Sequence, residues 1–513
     1  MFKRRDSSEN PQPQFWVETK RLPKATASTF YRKLDDTLAA IGFTEGVRDL
    51  CQPAYADAAR GGRPGIDPAV YFKMLMIGFF ENLPSERAIA SRCADSLSLR
   101  AFLGYQLDQD TPDHSSLSVI RNRLGEQIYQ SALELVLKGL RNHGLLKGRH
   151  LGIDSSVIEA NASLRELVHR NTEEQYWDYV KRLAAAAGID PTDTKAVRQF
   201  DRKREGRRTS NQDWVNPHDP DAKVGVTKHG ACDMIYKPEH ITDLESGAIV
   251  AATVRHGNDG DTTELCQRVL AAGGTLSRVC EDPQQNKVLR SLTADEGYFS
   301  VEEICGLQAE RIRAVIGDPY ASQRRKDKQS PLIKQILTKA RRAVKSASGK
   351  ALLRKRGEYL ERSFAHVLDH GNLRRATLRG TANLTKRQLA GAIAFDLSLL
   401  MRKLTGCGTP KQWLAAARQA FFGLIEWFLR TLSRLTGRHI GRQMTFQRNY
   451  CIYQLAEELV RGPPSFSNSM IFQQAARAWF SISCHSSSRG SELDSSSDRL
   501  SSILKLNSCS III

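Results

Sequence analysis

The chain has 513 residues and a formal net charge of +19, from 75 Lys and Arg against 56 Asp and Glu. With 41% hydrophobic and 26% charged residues, its composition excludes a collagen-like or wholly disordered chain, and the length suits two to four domains of about 150 residues. The longest apolar stretch, Ala420 to Leu429, is interrupted by Glu426 and falls far short of the roughly 20 residues that span a bilayer.

The N-terminus, MFKRRDSSENPQPQF, lacks the apolar core of a secretory signal. Residues 1–26 read as a flexible lead. From 27 to 148 the pattern is helical. Asp67-Pro68 reads as an N-cap with proline at the first helical position, opening VYFKMLMIGFFENL. Ser85 caps ERAIASRC, Asp95 caps SLSLRAFL, and Thr111-Pro112-Asp113 starts a further helix. On that last helix Leu117, Ile120, Leu124 and Ile128 share one face, and Arg121 and Arg123 lie off it. Short capped helices ending in arginines suit a helix-turn-helix-like module and equally suit an ordinary helical bundle.

At Arg149 the pattern changes to α/β. HLGIDSSVIEA reads as a short strand carrying an acid, and residues 165–228 form a polar insertion. MIYKPEHITDLESGAIVAATV reads as a hairpin turning at Glu245-Ser246-Gly247. Asp261 reads as the cap of TTELCQRVLAA. Ser291 to Ala294 is a strand running into Asp295, and Ile312 to Ile316 is another. Ser330 to Leu373 is helical with breaks near Gly349 and Gly357, and 381–435 is helical again. The order predicts a mixed sheet over 149–405, a helical extension over 406–462, and a Ser-rich, low-complexity tail over 463–513. Ten cysteines show neither a CxxC pair nor zinc-type spacing and read as reduced thiols of a cytosolic protein.

Charge is concentrated. Between Arg311 and Gly380 there are 19 Lys and Arg against five Asp and Glu. Such a block suits a polyanion or a solvated helix face. Three acids stand out against it: Asp154 in the first strand, Asp295 at the end of a later one, and Glu361 on a helix. Asp295 competes with Glu296, and Glu361 with Glu358. Each alone suits a cap or a solvated ion pair. Together, carboxylates of this kind hold Mg²⁺, a hard ion that prefers oxygen ligands.

RGEYLERSFAHVLDHGNLRRATLRG, TADEGYFS and HLGIDSSVIEAN, with the N-terminal run GGRPGIDPAVYFKMLMIGFFENLPSERAIASRC, resemble bacterial insertion-sequence transposases of the DDE type, the IS-five-like and IS-eleven-eighty-two-like groups. The likeness covers roughly residues 45–405. It implies an RNase H-like catalytic core in which Asp154, Asp295 and Glu361 hold two Mg²⁺ ions, Mn²⁺ substituting. It implies strand cleavage at element ends and transfer of the 3′-hydroxyl into target DNA. The partners it implies are double-stranded terminal repeats and target DNA, no membrane, and further copies of the chain on paired ends, in the bacterial cytoplasm at the nucleoid. Arg121, Arg123, Tyr298, Arg356, Arg362, Arg374 and Arg375 are the DNA contacts that this reading nominates. Arg356 stands one residue further from Glu361 than the usual pattern, and Leu368 replaces a usual lysine. A nuclease without a joining step, and a transposase remnant that only binds DNA, are the competing readings.

Overall fold

Among the described residues, seven α-helices precede the first strand. The computed structural model describes residues 26–55, 65–106, 108–206, 210–227, 230–280, 288–321 and 330–435. The expectations for the N-terminal lead, for 436–462 and for the Ser-rich tail fall outside these. The chain divides into two units, 1–421 and 422–513.

The opening helices are α1 (Thr26–Ala40), α2 (Phe43–Cys51), α3 (Pro68–Phe80), α4 (Glu86–Asp95), α5 (Leu97–Leu103), α6 (His114–Arg123) and α7 (Glu126–Asn142). Their starts follow capping chemistry. Asp67 accepts from the Ala69 amide, Ser85 from Ala88 and Asp113 from Ser116, each satisfying an amide that the helix leaves orphaned and contributing about 1 kcal/mol. The cap of α5 is Ser96, not Asp95, which closes α4 instead. Gly104 then ends α5 at φ +82°, a conformation open to glycine. The single helix expected through Ile128 is two. Leu124 is extended, with ψ 127°, and α7 begins beyond Gly125. The two helices still bury Leu117, Ile120, Leu124, Tyr129 and Leu133 in one core.

The sheet contains β1 (His150–Ser155), β2 (Ile158–Glu159), β5 (Lys223–Val226), β6 (Cys232–Asp243), β7 (Ile249–His256), β8 (Ser291–Ala294) and β9 (Arg313–Ile316). Its main path runs β2-β6-β1-β8-β9, with β5 and β7 also pairing with β6. β6 is antiparallel to β1 and β7, whereas β8 is parallel to β1 and to β9. The β6–β7 hairpin turns where expected, at Gly247 with φ +80°. The described residues of the polar insertion form regular elements. It holds a small ladder, β3 (Val168–His169) with β4 (Trp214–Val215), and helices α8 (Tyr176–Ala186) and α9 (Thr194–Lys203) packed around Val180, Ala184 and Val197.

Helices α10 (Leu265–Cys280), α11 (Val301–Ala309), α12 (Pro331–Lys345) and α13 (Ala347–Phe364) flank the sheet. The break between α12 and α13 falls at Ser346, which caps α13 through the Gly349 amide, and Gly357 lies within a continuous helix. A π-turn over Ala365–His370 follows. α14 (Thr381–Thr405) is buried on nearly all sides from Leu384 to Met401, the mark of a central helix. It packs against α3 and α7 on one side and β7 on the other, so the opening helices and the sheet share one core. α15 spans Pro410–Leu435.

Candidate active site

β1 and β8 place two aspartates side by side. The strands are parallel, with Gly152 opposite Thr293. Continuing that register sets Asp154 opposite Asp295, at the carboxyl ends where parallel strands present ligand sites. Leu151 and Ile153 anchor β1 in the core, and Leu292 and Ala294 anchor β8. One guanidinium joins the acids: Arg356 Nη2 lies 2.8 Å from Asp154 Oδ2 and 3.4 Å from Asp295 Oδ2. Arg356 reaches them from α13, its Nε donating to the Ile153 carbonyl at 3.4 Å. Gly152 lies beneath its stem, and the close packing there is with Leu244. A Cβ there would lie 3.4 Å from Arg356 Cγ and 2.7 Å from a Leu244 methyl.

Burial pushes the Asp154 carboxyl up to about 6, the Arg356 charge opposing the shift and Asp295 and Asp261 adding to it. Asp295 also accepts from the Gly297 amide at 3.1 Å, capping a turn over Glu296–Tyr298. Its rival Glu296 is aimed elsewhere, its side chain against Gly317 at the end of β9.

Asp261 is the residue that sequence reasoning missed. It was expected as a helix cap, yet α10 begins only at Leu265. Its Oδ1 accepts instead from Ser155 Oγ at 3.0 Å and Lys237 Nζ at 2.9 Å. Nothing in GNDGDTTEL separates a cap from a carboxylate reaching across the sheet.

The third expected acid stands apart from the pair. Arg356 and Leu360 are the α13 side chains facing Gly152. Glu361 follows Leu360 by about 100° around the helix and is exposed. Among the described residues, no group of three His, Cys, Asp or Glu is placed to hold a metal. Its rival Glu358 is paired with Arg362 at 2.6 Å.

The nominated DNA contacts divide. Arg123 is exposed, its guanidinium over the Tyr55 ring at 4.7 Å, and Arg375 is exposed beside β2. Arg374 pairs with Asp369 at 2.7 Å and donates to Ser156 Oγ at 3.2 Å, just past the end of β1. Arg362 is half-exposed. Two nominations are corrected. Arg121 is largely buried in an ion pair with Glu86, so as it stands it braces α6 against α4. Tyr298 is buried, its hydroxyl donating to Glu239 Oε2 at 3.2 Å. Leu368 is wholly buried in the main core, which explains why a lysine is not there.

Glu239 sits across the β1–β6 ladder, opposite Ser155. It is buried between Arg268 at 3.1 Å and Arg255 at 3.4 Å. Burial raises its carboxyl, and the two arginines and Tyr298 pull it back.

Comparison with known proteins places part of the chain. Residues 19–123, the span that takes in helices α1 to α6, match a family described as "Transposase domain (DUF772)". No curated protein matches the chain. It is also similar to two solved structures. One is titled "Crystal structure of a pre-cleavage Mos1 transpososome", at 10% identity over 60% of this chain and 81% of that chain, with TM-score 0.17. The other is titled "Mos1 transposase paired-end complex with left transposon end", at 9% identity over 61% and 81%, also with TM-score 0.17. Among the described residues no helix is long and apolar enough to cross a membrane.

Proposed function

We propose that the chain is a DDE-type DNA transposase whose chemistry is centred on Asp154 and Asp295. The observation that carries this reading is the meeting of the two carboxylates at one positive charge, on parallel neighbours of a mixed sheet. The strand order β7-β6-β1-β8-β9, three antiparallel strands continued by two parallel ones, supports an RNase H-like core. The transposase domain over 19–123 supports the DNA substrate.

The donor set fits a hard divalent cation, being oxygen only, with the Arg356 guanidinium as a stand-in for positive charge at that place. Asp154 and Asp295 would hold Mg²⁺ here, and the metal would supply positive charge to an in-line phosphoryl displacement. Asp154 and Asp295 hold that charge against the scissile phosphate. Glu361, exposed on α13, is the third acid that the resemblance nominates. The nucleophile at the element end is water, and the bond broken is that from phosphorus to the 3′-oxygen, which leaves as a hydroxyl. That hydroxyl then attacks a target phosphodiester, and a target 3′-oxygen leaves. Arg123, Arg374 and Arg375 supply phosphate contacts.

The test is strand joining. The full chain, Mg²⁺ and a duplex carrying a pre-cut terminal repeat should yield DNA joined to a target, and none with EDTA. Hydrolysed but unjoined products favour the nuclease reading. The exposed Glu361 favours a second reading, a protein that binds the repeats without cutting them; gel retardation without any metal-dependent product selects it.

A further inference from the structure

Arg356 occupies the place that the proposed function reserves for a metal. One nitrogen of its guanidinium serves two carboxylates, Asp154 at 2.8 Å and Asp295 at 3.4 Å. Its stem lies over Gly152, and its Nε rests on the Ile153 carbonyl at a long 3.4 Å. The guanidinium is therefore anchored mainly by the acids. That Nη2 is buried and makes no properly directed hydrogen bond, so it serves the pair as a point charge. The side chain is 14% exposed, while Asp295 beside it is 49% exposed, which leaves an open side through which the charge can leave. Arg354 and Lys355, on other faces of α13, are exposed, so the helix as a whole offers cationic charge to a phosphate backbone.

We propose that Arg356 is a built-in counter-ion that exchanges the two aspartates for a DNA phosphate, coupling divalent-metal loading to DNA binding. The inference rests on the metal-site reading above and adds its regulation. Without DNA the guanidinium neutralises the pair and competes with a divalent cation for the same oxygens. A phosphodiester drawn onto α13 offers the guanidinium another anion. As it moves across, both carboxylates become free to hold metal. Linkage requires the converse, that metal at the pair strengthens phosphate binding by Arg356.

The experiment is a Mn²⁺ titration of the full chain, read by the electron paramagnetic resonance of free Mn²⁺, with and without a short duplex whose own Mn²⁺ uptake is subtracted. Arg356→Gln should bind Mn²⁺ roughly tenfold more tightly than the native chain without DNA, the scale of one close opposite charge removed. DNA should tighten Mn²⁺ binding by the native chain and leave Arg356→Gln nearly unchanged. Arg356→Lys keeps the charge and should follow the native chain, which separates loss of the competitor from a disturbed fold. Equal or weaker Mn²⁺ affinity in Arg356→Gln overturns the exchange, as does equal tightening by DNA in both proteins. Absence of Mn²⁺ binding at the pair in every protein, judged against Asp295→Asn, overturns the metal reading and the exchange with it.

Discussion

Two acid–arginine clusters sit on neighbouring strands, and they are built in opposite ways. Around Glu239, one carboxylate is buried between Arg255 and Arg268 and takes the Tyr298 hydroxyl as well. Around Asp154, two carboxylates share one guanidinium, and one of them is half-exposed. The first cluster is saturated with cations and closed to solvent. The second is short of positive charge and open. Buried charges persist in a fold only when paired, so saturation marks a structural strut. A deficit at the open end of parallel strands is what the proposed function requires of a site that takes up another cation.

Substitutions can break or sharpen that contrast. The largest effect belongs to the open cluster: Asp154→Asn and Asp295→Asn should each lower metal-dependent strand cleavage by roughly 10²–10³-fold or more, with little change in melting temperature. Glu239→Ala should do the reverse. It leaves Arg255 and Arg268 in a largely buried place without their carboxylate, which costs about 3–5 kcal/mol, read as a drop in unfolding free energy by denaturant titration. If Glu239→Ala abolishes cleavage at unchanged stability, the contrast is lost.

Next in size is Leu368→Ala. It removes a wholly buried side chain from the main core and should cost about 2–5 kcal/mol. Leu368→Lys, restoring the residue usual in the resembled family, should be worse still and gain no DNA affinity.

A smaller effect concerns His240, fully buried opposite Asp154, stacked on Phe364 and meeting Ser363 and Gln388. Burial lowers its imidazole to about 4, against an ordinary value of 6.5. The unfolded chain takes up the proton first as pH falls. Stability is therefore full above 6.5 and declines as pH falls toward 4, by at most about 1.4 kcal/mol per unit. Asp154, held up to about 6, slopes the other way over part of that range, so the slope is read as the difference between thermal melts of the native chain and of His240→Gln.

The contrast also explains what could be read without coordinates. Local chemistry was legible. The caps at Asp67, Ser85 and Asp113, the turn at Gly247 and the strand into Asp295 depend on neighbours in sequence. Long-range pairing was not. Arg121 looks free on its helix until Glu86, from another helix, buries it. Tyr298 looks poised for DNA until Glu239 claims its hydroxyl. Asp261 looks like a cap until Ser155 and Lys237 meet it across the sheet. Asp154 and Asp295 were nominated from their places in the sequence and by resemblance, and their proximity follows from one parallel strand pair that the sequence does not encode locally. Glu361 was nominated in the same way, and its helix presents Arg356 to the pair in its place.

The most direct measurement is cleavage of a duplex carrying the terminal inverted repeats that the proposed function requires, made with the native chain, Asp154→Asn and Asp295→Asn, alongside gel retardation on the same DNA. The account predicts Mg²⁺-dependent nicking by the native chain, none by either variant, and equal retardation by all three. Full nicking by either variant, with its fold intact, contradicts it.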